Sequence, residues 1–227
     1  MSIAEKLTAV AENEQKVYDA GRAKAERDFW DVVQQSGSRT NYDRAFRYWD
    51  TEAIVPKHKV TATGAVTYLF CDCANLKTID RQHFDFSNMQ PTFVKNEDAY
   101  AMFCRCGKLE YMPDLGLPPC SVSWMFAYCE KLRTIEILRV SENTIFTDAF
   151  AGCYALENIT IEGTVGNDIY LGRSDHLTHD SLMSIINALK DYSGTSTTKT
   201  LTIGTTNQAK LTDAEKAIAT QKGWTIA

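Results

Sequence analysis

The 227-residue sequence lacks a long apolar run, since no segment approaches the roughly 20 apolar residues that a membrane-spanning helix needs. Residues 1–6 contain no apolar core of the kind found in a signal peptide. The sequence therefore predicts a protein that is made in the cytoplasm and is not exported by that route. It also lacks a basic excess, because 24 Lys and Arg stand against 29 Asp and Glu. Nucleic acid is not expected as a partner, since a phosphate-binding groove normally shows as a basic stripe.

The short motifs of common enzyme classes are missing as well. There is no phosphate loop, no dinucleotide-binding fingerprint, no Gly-x-Ser-x-Gly elbow and no His-Glu-x-x-His motif. Carboxylates are scattered, and their positions do not say which of them meet in the fold. We therefore expect no catalytic activity and no cofactor.

What the sequence does contain is a repeat, Phe-x-x-Cys-x-x-Leu-x-x-Ile/Met, which begins at Phe70, Phe103, Phe126 and Phe150. The intervals between these phenylalanines are 33, 23 and 24 residues. Apolar residues at fixed offsets with a period of about 20–29 residues are typical of leucine-rich repeats, so the sequence predicts an α/β solenoid. Its predicted core ladder consists of Phe70, Cys73, Phe103, Cys106, Phe126, Cys129, Phe150 and Cys153.

The repeats are placed at residues 61–165. The segments before and after them are predicted to serve as attachments and caps. Residues 2–35 contain no proline and carry apolar residues at helical spacing, which predicts a long N-terminal helix in a segment 1–36 for attachment or self-assembly. Residues 37–60 are rich in aromatic residues and are predicted to cap the first repeat.

Residues 166–227 are predicted to form a C-terminal cap made of helices and strands. Thr178 is expected to be the N-cap of a helix that runs to about Asp191. Thr212 begins a Thr-x-x-Glu capping box for a second helix that ends near Gly223. Strands are expected at 201–203 and 224–226.

Residues 66–162 resemble the BspA-like class of leucine-rich repeats, in which Phe, Cys and Leu follow at steps of three before an Ile-x-Ile strand. The beginning at 3–18 and the end at 210–225 look like those of leucine-rich proteins encoded in phages and prophages of gut Firmicutes. The resemblance implies a non-catalytic structural or adhesive protein, associated with the phage tail and located in the virion. Its implied partners are other virion proteins or a protein or glycan of the host cell surface. The alternative is a bacterial surface adhesin or glycan-binding module.

One face of the repeats is a candidate binding surface, because stacked strands present their outward residues as a regular array. The inserted loop after the first repeat, with Phe84, Phe86 and Phe93, is a second candidate, unless these rings cover the repeat beneath them. The candidate residues of the face are Lys77, Tyr111, Arg133, Glu136, Asn158 and Thr160.

Two clusters could hold a metal ion. Cys71-x-Cys73 and Cys104-x-Cys106 could supply four thiolates to zinc, could form a Cys71–Cys104 disulfide, or could be buried structural thiols. His176-x-x-His179 lies between two aspartates, but the same stretch also reads as the start of the helix capped by Thr178. We favour the structural reading for both and expect no metal site.

Overall fold

The computed structural model describes residues 16–17, 20–21, 38–39, 42–56 and 58–227. The predicted helix over residues 2–35, and self-assembly through it, lies outside the described residues apart from positions 16–17 and 20–21. The described strands are β1 (Ser38–Arg39), β2 (Val60–Ala62), β3 (Phe84–Asp85), β4 (Tyr111–Met112), β5 (Thr134–Val140), β6 (Asn158–Gly163), β7 (Ile169–Tyr170), β8 (Lys199–Thr202) and β9 (Trp224–Ile226). The described helices are α1 (His179–Ala188), α2 (Gly204–Gln208) and α3 (Asp213–Gln221).

The strands form three separate parallel sheets, in the orders β1-β2-β3, β4-β5-β6 and β7-β8-β9. In the middle sheet Tyr111 lies opposite Thr134, and Thr134 lies opposite Asn158. In the last sheet Tyr170 lies opposite Thr202. Each sheet joins segments that are 20 or more residues apart in sequence, so the fold depends on long-range pairing.

The prediction of an α/β solenoid, a BspA-like leucine-rich repeat array, is wrong. The described residues instead form a mixed fold of three small sheets, and the helices between residues 179 and 221 have only ten, five and nine residues. The insertion after the first repeat explains the break between sheets. It places β3 beside β2, while Thr78 of the first repeat makes only an isolated bridge to Ala53. No sheet therefore runs through all the repeats.

The Phe-x-x-Cys segments form tight elbows that are hydrogen-bonded to one another. Phe70 N–H donates to the Met102 carbonyl at 2.8 Å, and Phe103 N–H donates to the Met125 carbonyl at the same distance. Intervening residues donate within their own elbow, as Cys71 N–H does to the Tyr68 carbonyl at 3.0 Å. Left-handed backbone recurs in these elbows at Arg44, Tyr48, Tyr68, Asp72, Ala101, Arg105, Trp124, Tyr128 and Asp148. Because such residues pay about 1–2 kcal/mol for that conformation, the hydrogen bonds between elbows must offset the strain.

The phenylalanines of the repeat form one continuous ring stack. Centroids of successive rings lie 5.0 Å apart for Phe70 and Phe103, 5.9 Å for Phe103 and Phe126, and 6.0 Å for Phe126 and Phe150. Phe46, from the aromatic connector, adds a further ring 5.5 Å from Phe70. The stack supplies much of the buried core, since each aromatic side chain buries about 150–250 Å².

The inserted loop covers this stack instead of presenting its aromatic rings to solvent. Phe84 and Phe86 are fully buried, and the Phe84 ring packs edge-on against Phe46 and Phe70. Phe93 is only half-buried. Phe84 and Phe86 therefore cover the repeat beneath them.

The ladder cysteines are buried beside the phenylalanine stack and act as hydrogen-bond donors. Each thiol donates to the carbonyl of the stacked phenylalanine one elbow earlier; Cys106 Sγ, for example, lies 3.0 Å from the Phe70 carbonyl oxygen. Burial raises the pKa of Cys73 and of Cys153 to about 12. Burial also raises the pKa of Cys106 and Cys129 well above the usual range. These thiols are therefore protonated and structural at neutral pH.

The helix caps and strands predicted from short motifs in the C-terminal segment agree with the structure. Thr178 is confirmed as the N-cap of α1, which ends at Ala188, three residues earlier than expected. The Thr212 capping box at the start of α3 is confirmed, and the strands expected near 201–203 and 224–226 are β8 and β9. Among the described residues, no helix combines the length and the apolar character that crossing a membrane requires.

Candidate functional site

The structure gathers most of the predicted binding face on the β4-β5-β6 sheet. Tyr111 lies in β4, Glu136 in β5, and both Asn158 and Thr160 in β6. Arg133 immediately precedes β5. Lys77 lies on the neighbouring segment, where its carbonyl accepts a hydrogen bond from Glu110 N–H at 3.4 Å.

Polar groups on this face are largely paired within the chain. The Tyr111 hydroxyl donates to Glu136 Oε2 at 2.8 Å. Lys77 forms an ion pair with Glu52 at 2.6 Å, and Arg133 forms one with Glu157 at 2.7 Å. Tyr111 and Glu136 also line a small groove of about 600 Å³. A binding role for this face stays a prediction, and its paired side chains leave few groups for a ligand.

A larger open groove, of about 920 Å³, lies where several neighbouring segments meet. Its walls come from the segments after β5, β6 and α1, and from β7 and β8. We call this surface the large groove. It is lined by Phe93, Glu142, Asn143, Ile145, Phe146, Thr147, Asp148, Gly166, Asn167, Asp168, Ile169, Tyr170, Lys190, Tyr192, Lys199, Thr200 and Thr202.

One wall of the large groove is held by a chain of polar contacts. Lys190 Nζ pairs with the Glu142 carboxylate, which raises the pKa of Lys190, and lies 5.2 Å from the centre of the Tyr192 ring. The Tyr192 hydroxyl donates to the Gly166 carbonyl at 2.7 Å. These contacts within the chain therefore hold the side chains of Lys190 and Tyr192 in place.

The base of the groove is tied together by two neighbouring side chains. Asn167 Nδ2 donates to the Thr144 carbonyl at 3.0 Å, and its Oδ1 accepts from Lys199 Nζ at 3.3 Å. Asp168 Oδ1 accepts from Thr200 N–H at 2.7 Å. A Cβ at Gly166 would lie 2.3 Å from the Glu142 carbonyl oxygen, so only glycine permits this approach of the two walls.

Other polar groups of the large groove have no internal partner. Within the described part of the chain, the side chains of Asn143, Thr147, Asp148 and Thr202 make no hydrogen bond. Tyr170 is half-exposed (50%), and Arg173 contacts its hydroxyl and that of Tyr154. The groove thus presents free donors and acceptors beside an accessible aromatic ring.

The two suspected metal clusters are not assembled in the structure. Cys73 and Cys106 belong to the main core, whereas Cys71 and Cys104 belong to a second, smaller apolar cluster, so the four sulfurs do not converge. His179 Nε2 contacts Glu215 Oε1 at 2.8 Å, and α1 begins at His179. In the ranges that the structure describes, no three His, Cys, Asp or Glu side chains are placed to hold a metal ion.

The large groove was missed in the sequence because its residues come from five segments that are separated along the chain. The sequence signal nearest the groove is the pair Gly163 and Gly166, since two close glycines favour a turn but do not show what the turn approaches. No protein-family model, curated protein or solved structure matches this chain.

Proposed function

We propose that this protein is a non-catalytic binding protein that recognises a bacterial surface glycan through the large groove. The observation that carries the proposal is the set of unpaired amide, hydroxyl and carboxylate groups around the exposed ring of Tyr170. Sugars offer hydroxyl groups that both donate and accept, and the same groove residues supply both roles.

The charge of the groove supports an uncharged polar ligand. Three acids, Glu142, Asp148 and Asp168, stand against Lys190 and Lys199, and Glu142 already pairs with Lys190. A groove for a polyanion or a polycation needs an excess of one sign, which this lining does not provide.

The shape of the groove supports the same ligand class. Its volume of about 920 Å³ lies near the upper end of the range for binding clefts, about 300–1,000 Å³, and it is open enough for a chain molecule. Tyr170 adds an apolar ring face with a polar hydroxyl edge, a combination suited to a sugar ring.

The carboxylates of the large groove favour binding over catalysis. General acids are commonly carboxyl groups held in an apolar enclosure. Asp148 and Asp168, the two carboxylates of the groove without a cationic partner, are instead exposed. Binding is therefore a better account of the groove than hydrolysis.

The biological setting is proposed from the resemblance of the two ends of the chain to proteins of phages and prophages. In this setting the protein is part of the virion, associated with the tail, and contacts the cell surface during adsorption. Other virion proteins would be its second class of partner. A bacterial surface adhesin with the same groove is the alternative setting.

We predict that Tyr170→Ala weakens binding to cells, because the exposed ring is the main apolar contact offered to a ligand. The experiment measures co-sedimentation of the labelled full chain with intact cells of a gut Firmicutes strain. The apparent Kd should rise about tenfold, the effect expected for a central aromatic residue of a binding site.

Tyr128→Ala is the matched control, because Tyr128 is similarly exposed (42% against 50% for Tyr170) and lies outside the large groove. Its Kd should stay within about twofold of the wild type, as expected for a residue outside the contact area. Equal losses in both variants, or no loss in Tyr170→Ala, would show that the large groove is not the binding site.

A further inference from the structure

Cys71 and Cys104 form a separate thiol pair on neighbouring elbows. Each lies two residues before a ladder cysteine, and Asp72 N–H donates to the Cys104 carbonyl at 2.8 Å, which places the two segments side by side. Both side chains are buried in the second apolar cluster together with Ala101 and Ala127. The Cys71 thiol donates to Asp72 Oδ2 at 3.3 Å.

The groups around this pair shift the pKa values of its two thiols in opposite directions. The neighbouring Cys71 thiol lowers the pKa of Cys104, and the Arg105 guanidinium adds to the effect. The neighbouring Cys104 sulfur, burial and the Asp72 carboxylate all raise the pKa of Cys71. Arg47 and Arg105 both contact the Asp72 carboxylate, so the pair lies at the edge of a charged cluster. Because the Cys71 thiol donates to the Asp72 carboxylate, Cys71 carries the proton, and Cys104, beside Arg105, is the nucleophile of the pair.

The ladder cysteines provide a contrast within the same protein. Their thiols donate to backbone carbonyls, as Cys129 does to Phe103 at 3.0 Å and Cys153 to Phe126 at 3.1 Å. Cys120 is likewise buried, and burial raises its pKa to about 12. A thiolate is the reactive form of cysteine, so these five sites should resist oxidation under conditions in which Cys104 reacts.

We propose that Cys71 and Cys104 form a peroxide-sensitive modification site that closes reversibly as a disulfide between two elbows. The Cys104 thiolate attacks one oxygen of hydrogen peroxide, the O–O bond breaks, and hydroxide leaves and is protonated to water. Cys104 is then a sulfenic acid. The Cys71 sulfur attacks the Cys104 sulfur, the S–O bond breaks, and the departing hydroxide takes the Cys71 proton to form a second water. Two thiols are oxidised and one peroxide is reduced.

Adjacent positions on paired backbone segments allow this closure. A disulfide needs its two Cα atoms about 4.4–6.8 Å apart, a range that includes the spacing of neighbouring hydrogen-bonded chains. The link would join elbows 33 residues apart in sequence. It would form once the protein leaves the reducing cytoplasm, where thiols are normally kept reduced.

The test treats the native full chain with dilute hydrogen peroxide, blocks the remaining thiols by alkylation, and maps the peptides by mass spectrometry. The expected result is a peptide that links Cys71 to Cys104 with the loss of two hydrogen atoms and that separates again on treatment with dithiothreitol. Cys120 and the ladder cysteines should be recovered as free thiols. Absence of the linked peptide, or oxidation of Cys120 at the same rate as Cys104, would overturn the proposal.

Two variants test the assigned roles without relying on the linked peptide. In Cys71→Ser, the sulfenic acid at Cys104 has no resolving thiol and should accumulate, where a 1,3-dicarbonyl probe captures it. In Cys104→Ser, neither the probe adduct nor the link should form at Cys71. Cys120→Ser is the control and should leave the link unchanged. A probe adduct on Cys71 in Cys104→Ser would contradict the assignment of Cys104 as the nucleophile.

Discussion

Replacing Gly163 by alanine is expected to reduce the free energy of unfolding by about 3–5 kcal/mol, the range of severe single substitutions. Gly163 is the last residue of β6, has φ +114° and lies opposite Val140 of β5. A Cβ at this position would lie 1.9 Å from the Val140 carbonyl oxygen, so the pairing of β5 with β6 must open at this end. Urea denaturation followed by circular dichroism measures the change.

Gly107→Ala is the matched control for this prediction. A Cβ at Gly107 meets no atom within 4 Å, and its backbone does not lie in the left-handed region. Stability should stay the same or rise by about 0.4–1 kcal/mol, because alanine reduces the freedom of the unfolded chain. Equal stabilities of Gly163→Ala and Gly107→Ala would mean that the β5–β6 pairing described here is wrong.

A second large loss, about 3–4 kcal/mol, is expected for Asp98→Asn, since the change places amide hydrogens against buried donors. Asp98 is only 1% exposed. Its Oδ1 accepts from Thr92 N–H at 2.8 Å, and its Oδ2 accepts from Phe93 N–H at 2.9 Å and from Ser121 N–H at 3.0 Å. Asparagine keeps the size and tolerates the left-handed backbone of this residue, so thermal or urea unfolding isolates the effect of the lost acceptor.

The neighbouring Glu97 supplies the control for the aspartate. Glu97 is exposed, and its side chain only accepts a bond from the Thr92 hydroxyl at 3.0 Å. Glu97→Gln should therefore change the free energy of unfolding by less than about 0.5 kcal/mol. If Glu97→Gln and Asp98→Asn lost the same stability, the hydrogen bonds to Asp98 would not hold the inserted loop in place.

Local features of the fold were readable from the sequence, whereas its sheets were not. The caps at Thr178 and Thr212 need only residues within one helical turn, so short motifs predict them. The break between β3 and β4 depends on which distant segment Phe84 pairs with, and spacing along the chain carries no such information. The regular period of the phenylalanines therefore suggested a continuous sheet that the strands do not form.

The elbows and the large groove were hidden for different physical reasons. Left-handed backbone at Tyr68 or Trp124 goes against local preference and is held by bonds within the elbow and to the next elbow, so no sequence signal marks it. The groove joins Asp148 with Asp168, Tyr170 and residues from β8, and spacing along the chain does not show that these positions meet. Phe46 could have been found, since it precedes Phe70 by 24 residues, an interval that the repeat also uses.

Selective treatment of the cells tests whether the large groove recognises a glycan on the bacterial surface. Cells are exposed either to periodate, which cleaves the vicinal diols of sugars, or to a protease, and are then mixed with the labelled full chain. We expect that periodate abolishes binding, that protease leaves it intact, and that Tyr170→Ala reproduces the periodate result on untreated cells. Binding that survives periodate and disappears after protease would contradict the claim.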